Sequence, residues 1–279
     1  MKIITVGTHN KGYYDILQES CKRNNLELIN LGWEKEWKGF TMRYDLMDEY
    51  LDKQEENEII MFIDAYDVFL LEGEDEILKK FHSYKKNIVF GLQNGFFPTF
   101  TFTKCDGNVL CGGSYMGYSK NIKDLLKTLK SKELYKKYNN DDQELLNNMC
   151  VLHRGYFNDN VAFDLEMKLF FITDATLFIT PSYILNGDIG LKIKDNKLLN
   201  LNDLQPSVIH LAGNVSGKKY LEHLQYDISS LKEIDITFKV KQTYYIIKNT
   251  FYKKNVKYIF ILVILLYIYS KFRKINFIV

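Results

Sequence analysis

The segment Ile59–Leu70, IIMFIDAYDVFL, decides the fold of this chain. It is an apolar run of strand character that ends in two carboxylates, Asp64 and Asp67. Ionised carboxylates are not buried unless a cation or a proton neutralises them. In open α/β sheets, ligands bind just outside the carboxyl ends of the strands. The segment therefore predicts a buried strand ending at a divalent cation that carries a diphosphate, since oxygen ligands suit Mg²⁺ or Mn²⁺.

Strand and helix patterns alternate on both sides of this segment. The predicted strands are Lys2–Val6, Leu26–Leu31, Ile59–Ile63, Asn87–Leu92 and Ser114–Tyr118. The predicted helices are Tyr14–Arg23, Thr41–Leu51, Asp75–Tyr84, Ile122–Leu129 and Asp142–Cys150. Such alternation predicts an α/β fold with a mostly parallel sheet between helices. From Val161 to Leu211 the pattern changes to short strands and turns, and NGD at Asn186–Asp188 predicts a hairpin turn.

Charge is distributed unevenly along the chain. Of the 37 Lys and Arg residues nine follow Asp235, where no acidic residue occurs, which leaves 28 basic against 35 acidic residues before it. An acidic globular part with a basic tail predicts no nucleic-acid partner and favours contact with a membrane surface. The 46% hydrophobic content is ample for a core and excludes global disorder.

The basic tail contains an apolar segment, Tyr258–Tyr269, with the sequence YIFILVILLYIY. It is shorter than the roughly 20 residues of a spanning helix, so flanking lysine and tyrosine residues would have to extend it. We predict a domain over residues 1–220, a helical extension or linker over 221–255, and a single-pass membrane anchor over 256–272. Basic residues on both sides and aromatic ends favour the anchor, which would leave the preceding domain on the cytosolic side, although the side is not fixed by the sequence. The alternative is a buried terminal element of the core.

The four cysteine residues have no CxxC spacing and no companion histidine cluster. This pattern predicts neither a zinc site nor a dense disulfide framework, and free thiols are expected, with a single disulfide as the alternative.

Asp64 and Asp67 are the first candidate metal ligands, because a spacing of three lets a turn point both at one ion. His210, which ends the apolar run in PSVIHLAGN, is the candidate third ligand. The alternatives are an exposed pair of loop acids and a histidine satisfied within the core.

Other motifs have polar or flat side chains suited to a sugar nucleotide. Asn140–Gln143, NDDQ, begins a helix with more acid than capping requires, so one carboxylate is expected to face an acceptor hydroxyl. Gly112 and Gly113 would let backbone approach a sugar. Trp33 and Trp37 offer flat faces for stacking, with core packing as the alternative for each.

Taken in order, these motifs resemble the glycosyltransferase domain of lysyl hydroxylases and the related procollagen glycosyltransferases. The matching segments, spread over most of residues 2–218, are ITV, LGWEKEW, IIMFIDAYDV, Pro98, LCGGSYMGY, DDQ, Phe163-Asp164, LNG at Leu185–Gly187 and the His210 segment. The resemblance implies a Rossmann-like fold of the GT-A type, with a mixed sheet flanked by helices. It also implies transfer of glucose or galactose from a UDP-sugar, with Mn²⁺ or Mg²⁺, to hydroxylysine or galactosyl-hydroxylysine of collagen-like chains.

The resemblance also assigns roles to residues of this chain. It implies Asp64, Asp67 and His210 as metal ligands. The UDP-sugar site it implies consists of Thr8, Trp37, Tyr66, Asn186, Asn214 and Lys218. On the acceptor side it implies Asp141, Asp142 and Asp164 as the catalytic acids.

This chain departs from the family pattern at several positions. Cys111 stands where the family has the Asn of an LNSGG-like motif, and Gln93 stands where it has an acid of the acceptor loop. Phe97 replaces an aromatic residue of the family near that acid. The segment that resembles HGNGPTK in the family reads HLAGNVSGKK here. These changes motivate an alternative function, a non-catalytic, membrane-tethered module that binds a UDP-sugar or a glycan. A metal-dependent phosphohydrolase is disfavoured, because the acids lack the one-residue spacing and following Thr of the common phosphatase motif.

Overall fold

A computed structural model describes residues 1–93, 102–130, 133–138, 141–174, 180–213, 215–229 and 231. The chain divides into two compact units, Met1–Lys232 and Glu233–Val279, and the elements that follow belong to the first. Its strands are β1 (Lys2–Thr5), β2 (Leu28–Asn30), β3 (Ile59–Ile63), β4 (Val68–Leu70), β5 (Ile88–Leu92), β6 (Leu110–Tyr118), β7 (Val161–Phe163), β8 (Phe170–Ile172), β9 (Lys192–Lys194), β10 (Lys197–Leu199) and β11 (Val208–His210). Its helices are α1 (Tyr14–Arg23), α2 (Met42–Leu51), α3 (Glu74–Ser83), α4 (Ser119–Lys130), α5 (Glu133–Lys137), α6 (Asp142–Leu152), α7 (Arg154–Asn160), α8 (Pro181–Asn186) and α9 (Lys218–His223).

A six-stranded sheet with the strand order β2-β1-β3-β6-β5-β7 forms the centre of this unit. Strand β6 runs antiparallel to β3 and β5, and the other pairings are parallel. Within β3, Ile60 and Phe62 pack into one hydrophobic cluster, whereas Met61 and Ile63 pack into another. Burial on both faces explains the unbroken apolar run of this strand. The predicted mixed α/β sheet between helices is confirmed.

A second, three-stranded sheet has the order β4-β11-β8. The segment Ile59–Leu70 therefore contains two strands that belong to different sheets, and Asp64–Asp67 is the bend between them. Strands β9 and β10 form a separate hairpin whose turn residues, Asp195 and Asn196, both have positive φ. Asp and Asn tolerate that conformation better than most residues.

The predicted hairpin turn at Asn186–Asp188 is wrong, because these residues end helix α8. The side chain of Thr180 caps the helix N-terminus by accepting a hydrogen bond from the backbone N–H of Tyr183. At the other end Gly187 has φ 62° and its N–H donates to the Tyr183 carbonyl over 2.8 Å. Glycine in this left-handed conformation is a common C-cap, and it leaves the same sequence signal as a turn.

The expectation of free thiols is wrong for two of the four cysteines. Cys105 and Cys150 form a disulfide with a Cα–Cα distance of 5.7 Å, which joins the segment before β6 to helix α6. Cys21 and Cys111 are buried free thiols. A pairing across 45 residues leaves no spacing signal in the sequence.

Within the described residues no helix is long and apolar enough to cross a membrane. The predicted anchor at 256–272 and most of the predicted linker lie outside those residues, so both stay predictions. Helix α9 ends at His223, just inside the predicted linker.

Asn147 joins α6 to the start of β6 from a fully buried position. Its side-chain amide accepts from the N–H of Leu110 over 2.9 Å and donates to the Leu110 carbonyl over 3.1 Å. Because Asn147→Ala leaves both backbone groups buried without partners, we expect it to lower the free energy of unfolding by about 2–4 kcal/mol. Urea denaturation measures this change. Val151→Ala, at a half-exposed position of the same helix, should shift stability by less than about 0.5 kcal/mol, and an equal loss in both variants would contradict the assignment.

Candidate metal centre

The structure brings the three predicted metal ligands together. Ligand atoms of Asp64, Asp67 and His210 all lie within 4.8 Å of one another. His210 Nε2 lies 3.6 Å from Asp64 Oδ2 and 3.4 Å from Asp67 Oδ1. The His210 side chain is buried, with 4% exposure, whereas those of Asp64 and Asp67 are 27% and 25% exposed. The cluster therefore has a histidine at its base and two carboxylates that solvent can reach.

Strand register produces this cluster. Strand β11 pairs antiparallel with β4 so that His210 lies opposite Val68, and the N–H of Leu211 donates to the carbonyl of Asp67 over 2.7 Å. On the other side, the N–H of Asp64 donates to the Gly113 carbonyl over 3.0 Å, which continues the β3–β6 ladder by one residue. The end of one sheet and the first strand of the other thus meet at the bend.

Ser114 orients the His210 ring. Its hydroxyl oxygen lies 2.9 Å from Nδ1, and the sulfur of Cys111 lies 3.7 Å from the same nitrogen. A hydrogen-bond partner on one ring nitrogen fixes the ring and leaves the other nitrogen for a metal. Here the other nitrogen is Nε2, the atom that faces both carboxylates. Nothing in the sequence beyond its place in β6 singles out Ser114.

Two glycines make room for carboxylates. A Cβ atom on Gly113 would collide with the carboxylate of Asp64, and one on Gly112 would lie 3.1 Å from Asp142 Oδ2. Both glycines thus pack against the two acids, and the predicted approach of this backbone to a sugar stays a prediction. Two carboxylates and an imidazole with ligand atoms within 4.8 Å of one another fit a hard divalent cation such as Mn²⁺ or Mg²⁺.

Arg43 connects the cluster to the predicted acceptor side. It lies in α2 with 6% exposure, and its two terminal nitrogens form ion pairs with Asp64 Oδ1 and Asp142 Oδ2. Burial lowers the pKa of Arg43, but the two carboxylates outweigh this effect and raise it above its usual value, so the guanidinium stays charged. Sequence reasoning missed this residue. A signal was available, because helical spacing places Arg43 on the same face as the buried Met47 and Leu51.

Asp141 and Asp142 lie at the start of α6 as predicted, but the two side chains have different partners. Asp141 is the N-cap residue, and its side chain accepts a hydrogen bond from the N–H of Glu144 over 3.0 Å. Asp142 is buried and pairs with Arg43. The acid beside the cluster of Asp64, Asp67 and His210 is therefore Asp142.

Tyr66 of the predicted UDP-sugar site contacts Thr8 and is linked through Tyr13 to the residue before Lys218. The phenol oxygen of Tyr66 accepts a hydrogen bond from the N–H of Thr8 over 2.7 Å. Its carbonyl accepts from the N–H of Tyr13 over 2.9 Å, and the Tyr13 hydroxyl in turn accepts from the N–H of Gly217 over 2.9 Å, just before Lys218. Thr8, Tyr66 and the start of α9 are therefore linked next to the bend that carries Asp67.

The other predicted donor-site residues are not joined to this group by any contact described in the structure. Trp37 is 42% exposed and packs edge-on against Phe40, so its indole is not buried in the hydrophobic core. Asn186 is exposed at the end of α8. Asn214 lies outside the described residues.

Asp164 is not placed at the cluster. It is fully buried, and its carboxylate accepts hydrogen bonds from Tyr84 and from the N–H groups of Lys168, Leu169 and Phe170. Burial raises the pKa of this carboxyl above its usual value, despite those hydrogen bonds. These hydrogen bonds hold the turn between β7 and β8, and the catalytic role that the resemblance implied for Asp164 stays a prediction.

The PLOD GT domain, a family of glycosyltransferase domains, has a family model that matches residues 1–238. The chain belongs to this family. The resemblance inferred from the sequence motifs is thereby confirmed.

Two curated relatives of this PLOD GT domain illustrate its sequence distance. Procollagen-lysine,2-oxoglutarate 5-dioxygenase 1 of Gallus gallus is 25% identical over 243 residues, covering 80% of this chain and 31% of that protein. The multifunctional procollagen lysine hydroxylase and glycosyltransferase of Caenorhabditis elegans is 26% identical over 247 residues, with the same coverage. The chain thus spans about a third of the length of these relatives.

A solved structure, that of a glycosyltransferase involved in the glycosylation of the major capsid of PBCV-1, is 13% identical to this PLOD GT domain. It has a TM-score of 0.45, with coverage of 80% of this chain and 98% of that one.

Gly113→Ala tests the packing against Asp64. Because the added methyl group collides with the carboxylate, we expect Asp64 to be displaced and Mn²⁺ affinity to fall about 10–100-fold, as when outer contacts of a metal ligand are lost. Gly155→Ala in α7 is the matched control, since its Cβ would meet nothing within 4 Å. Titration of free Mn²⁺ by electron paramagnetic resonance measures the affinity. Equal affinities for the two variants would contradict this role of Gly113.

His210 predicts a pH dependence of metal binding. Burial lowers the pKa of His210, but the Asp67 carboxylate and Cys111 outweigh it, so the pKa lies well above its usual value. A raised pKa means that the imidazole keeps its second proton into neutral pH, and that proton competes with a metal for Nε2. Mn²⁺ affinity should therefore increase from about pH 6 to about pH 8, by up to about tenfold per pH unit. His210→Asn should bind more weakly and lose most of this slope, whereas an unchanged slope would contradict the assignment.

Proposed function

We propose that this chain is a metal-dependent glycosyltransferase of the GT-A type that moves glucose or galactose from a UDP-sugar to a hydroxyl acceptor. The observation that carries the proposal is the Asp64–Asp67–His210 cluster at the end of β3 in a PLOD GT domain. The proposed acceptor is hydroxylysine or galactosyl-hydroxylysine of a collagen-like chain. This part rests on the family and on the named activities of relatives such as the C. elegans protein.

The three ligands would hold Mn²⁺ or Mg²⁺. Such an ion supplies positive charge that neutralises the charge forming on the leaving diphosphate. The buried imidazole and the two partly exposed carboxylates provide one face of its coordination and leave the solvent side for the diphosphate. Ser114 and the strand register hold these ligands in place before substrate binds, which is the preorganisation that electrostatic stabilisation requires.

Other residues of the chain are proposed to bind and orient the substrates. The ring of Tyr66, with its hydroxyl fixed by Thr8, offers a flat face for the nucleotide, and exposed Trp37 offers a second one. Lys218, exposed at the start of α9, is suited to the diphosphate charge, and Asn186 and Asn214 are assigned to the same site by family resemblance. Asp142, with Asp141 beside it, faces the acceptor side.

A second candidate function is a non-catalytic module that binds a UDP-sugar or a glycan. Two departures from the family pattern favour it. Gln93 replaces an acid of the acceptor loop, and its buried amide donates to the Thr173 carbonyl over 3.4 Å. Cys111 replaces the usual Asn and lies beside His210. Tethering of either form to a membrane through the tail stays a proposal from the sequence.

Asp64→Ala and Asp67→Ala test the metal-dependent reaction. Each removes a carboxylate ligand, so UDP-sugar turnover with Mn²⁺ supplied should fall by at least about 100-fold, more than the loss of an outer contact costs. Release of UDP measures turnover. Asp75→Ala, at an exposed acid of α3, should keep the activity of the unchanged protein. Turnover near that of the unchanged protein in either ligand variant would refute the assignment.

A donor and acceptor screen decides between the two candidate functions. UDP-glucose and UDP-galactose are each tested against hydroxylysine and galactosyl-hydroxylysine peptides, with and without Mn²⁺. A glycosylated peptide formed only with Mn²⁺ is the result expected for the enzyme. Mn²⁺-dependent binding of UDP without product from any acceptor would favour the binding module.

A further inference from the structure

Arg43 lies buried between two acids that come from distant parts of the chain. Asp64 directly follows β3, and Asp142 begins α6. One terminal nitrogen of the guanidinium pairs with each acid, and no partner for its Nε is found among the described residues. The polar contacts described for the Arg43 side chain are to these two carboxylates.

The contact with Arg43 separates the two oxygens of Asp64. Oδ1 pairs with Arg43, whereas Oδ2 lies 3.6 Å from His210 Nε2 and thus faces the metal cluster. Gly113 closes the remaining side, since even a Cβ there would collide with the carboxylate. The carboxylate is therefore held in a single orientation that keeps one oxygen for a metal.

We propose that Arg43 is a positioning residue of the metal centre, and that it orients Asp64 so that Oδ2 is presented to the metal. The inference rests on the proposed function, because it requires that the cluster bind a divalent cation. A guanidinium suits this task, since its planar fork holds two carboxylates at fixed angles, whereas a lysine ammonium is a point charge on a flexible stem.

The same guanidinium ties the metal centre to the acceptor side. Asp142 is the first residue of α6, so its pairing with Arg43 fixes the helix start relative to Asp64. The charges also balance: a divalent cation and Arg43 carry three positive charges, and Asp64, Asp67 and Asp142 carry three negative ones. Paired and balanced charges are the condition under which ionised groups are buried.

Charge and position predict opposite effects when Arg43 is removed. Loss of a nearby positive charge strengthens the attraction between the cluster and a cation. Loss of the hold on Asp64 weakens binding, because the carboxylate then rotates and must be ordered by the metal itself. The direction of the change in metal affinity therefore separates a positioning residue from a mere neighbouring charge.

Arg43→Gln is the first test, with Mn²⁺ alone as the probe and free Mn²⁺ followed by electron paramagnetic resonance. We expect affinity to fall about 10–100-fold despite the lost positive charge. Arg43→Lys, which keeps the charge but cannot hold both carboxylates, should fall between Arg43→Gln and the unchanged protein. Arg154→Gln, at a 67% exposed arginine that pairs with Asp106, is the control and should stay within about twofold, as expected for a surface ion pair. Unchanged or tighter binding by Arg43→Gln would overturn the proposal.

Arg43→Gln leaves Asp142 buried without its cation, so the variant is open to misfolding. The double variant Arg43→Gln/Asp142→Asn removes one charge of each sign and restores neutrality at this position. Its net charge equals that of the unchanged protein, so a loss of Mn²⁺ affinity in a variant with an unchanged near-ultraviolet circular dichroism spectrum reports the lost hold on Asp64. If the double variant binds Mn²⁺ as tightly as the unchanged protein, the positioning role of Arg43 is overturned, whereas the proposed function is not. Failure of the unchanged protein itself to bind Mn²⁺ would overturn the proposed function together with this inference.

Discussion

The bend from Asp64 to Asp67 is the constraint on which the candidate site depends. It carries the chain from the six-stranded sheet into the three-stranded one within four residues. The backbone of each acid is held by a different sheet, that of Asp64 through Gly113 and that of Asp67 through Leu211, so neither backbone can shift without breaking a ladder hydrogen bond. His210 closes the group from β11, which pairs with the strand that follows the bend. The site is thus a consequence of how the two sheets join.

Local patterns predicted the elements that have strong local signals. The bounds of α1 and β3 agree with the prediction, because each has clear helical or continuous apolar character. Strand β6 starts four residues earlier than predicted, at Leu110. Glycines weaken the strand signal in this part of the sequence, but pairing with β3 and β5 makes it a strand in the structure. The strand β4 was hidden, because one apolar run covers both it and β3. Only non-local pairing with β11 separates the two.

The candidate ligands were predictable because their residue types limit what they can do. Two acids after a buried strand and a histidine after another apolar run have few stable environments, and a shared cation is one of them. The sequence can indicate that a long-range partner of a ligand is buried, as helical spacing does for Arg43, but not which distant group it contacts. Ser114 and Arg43 act through contacts made across the fold, and Asp164 matched a family motif although its carboxylate is committed to backbone N–H groups. For such residues only the folded geometry distinguishes a structural role from a functional one.

The disulfide between Cys105 and Cys150 closes the chain into a covalent ring that spans a sequence separation of 45 residues. Gly113, which makes room for Asp64, and Asp142, which pairs with Arg43, both belong to that ring. A loop of this size lowers the conformational entropy of the unfolded chain by an amount equivalent to about 4 kcal/mol in the chain-entropy description. Even when the chain is unfolded, the disulfide therefore limits the distance between Gly113 and Asp142. During refolding, the oxidised chain therefore has fewer conformations to sample before Gly113 and Asp142 come together at the candidate site.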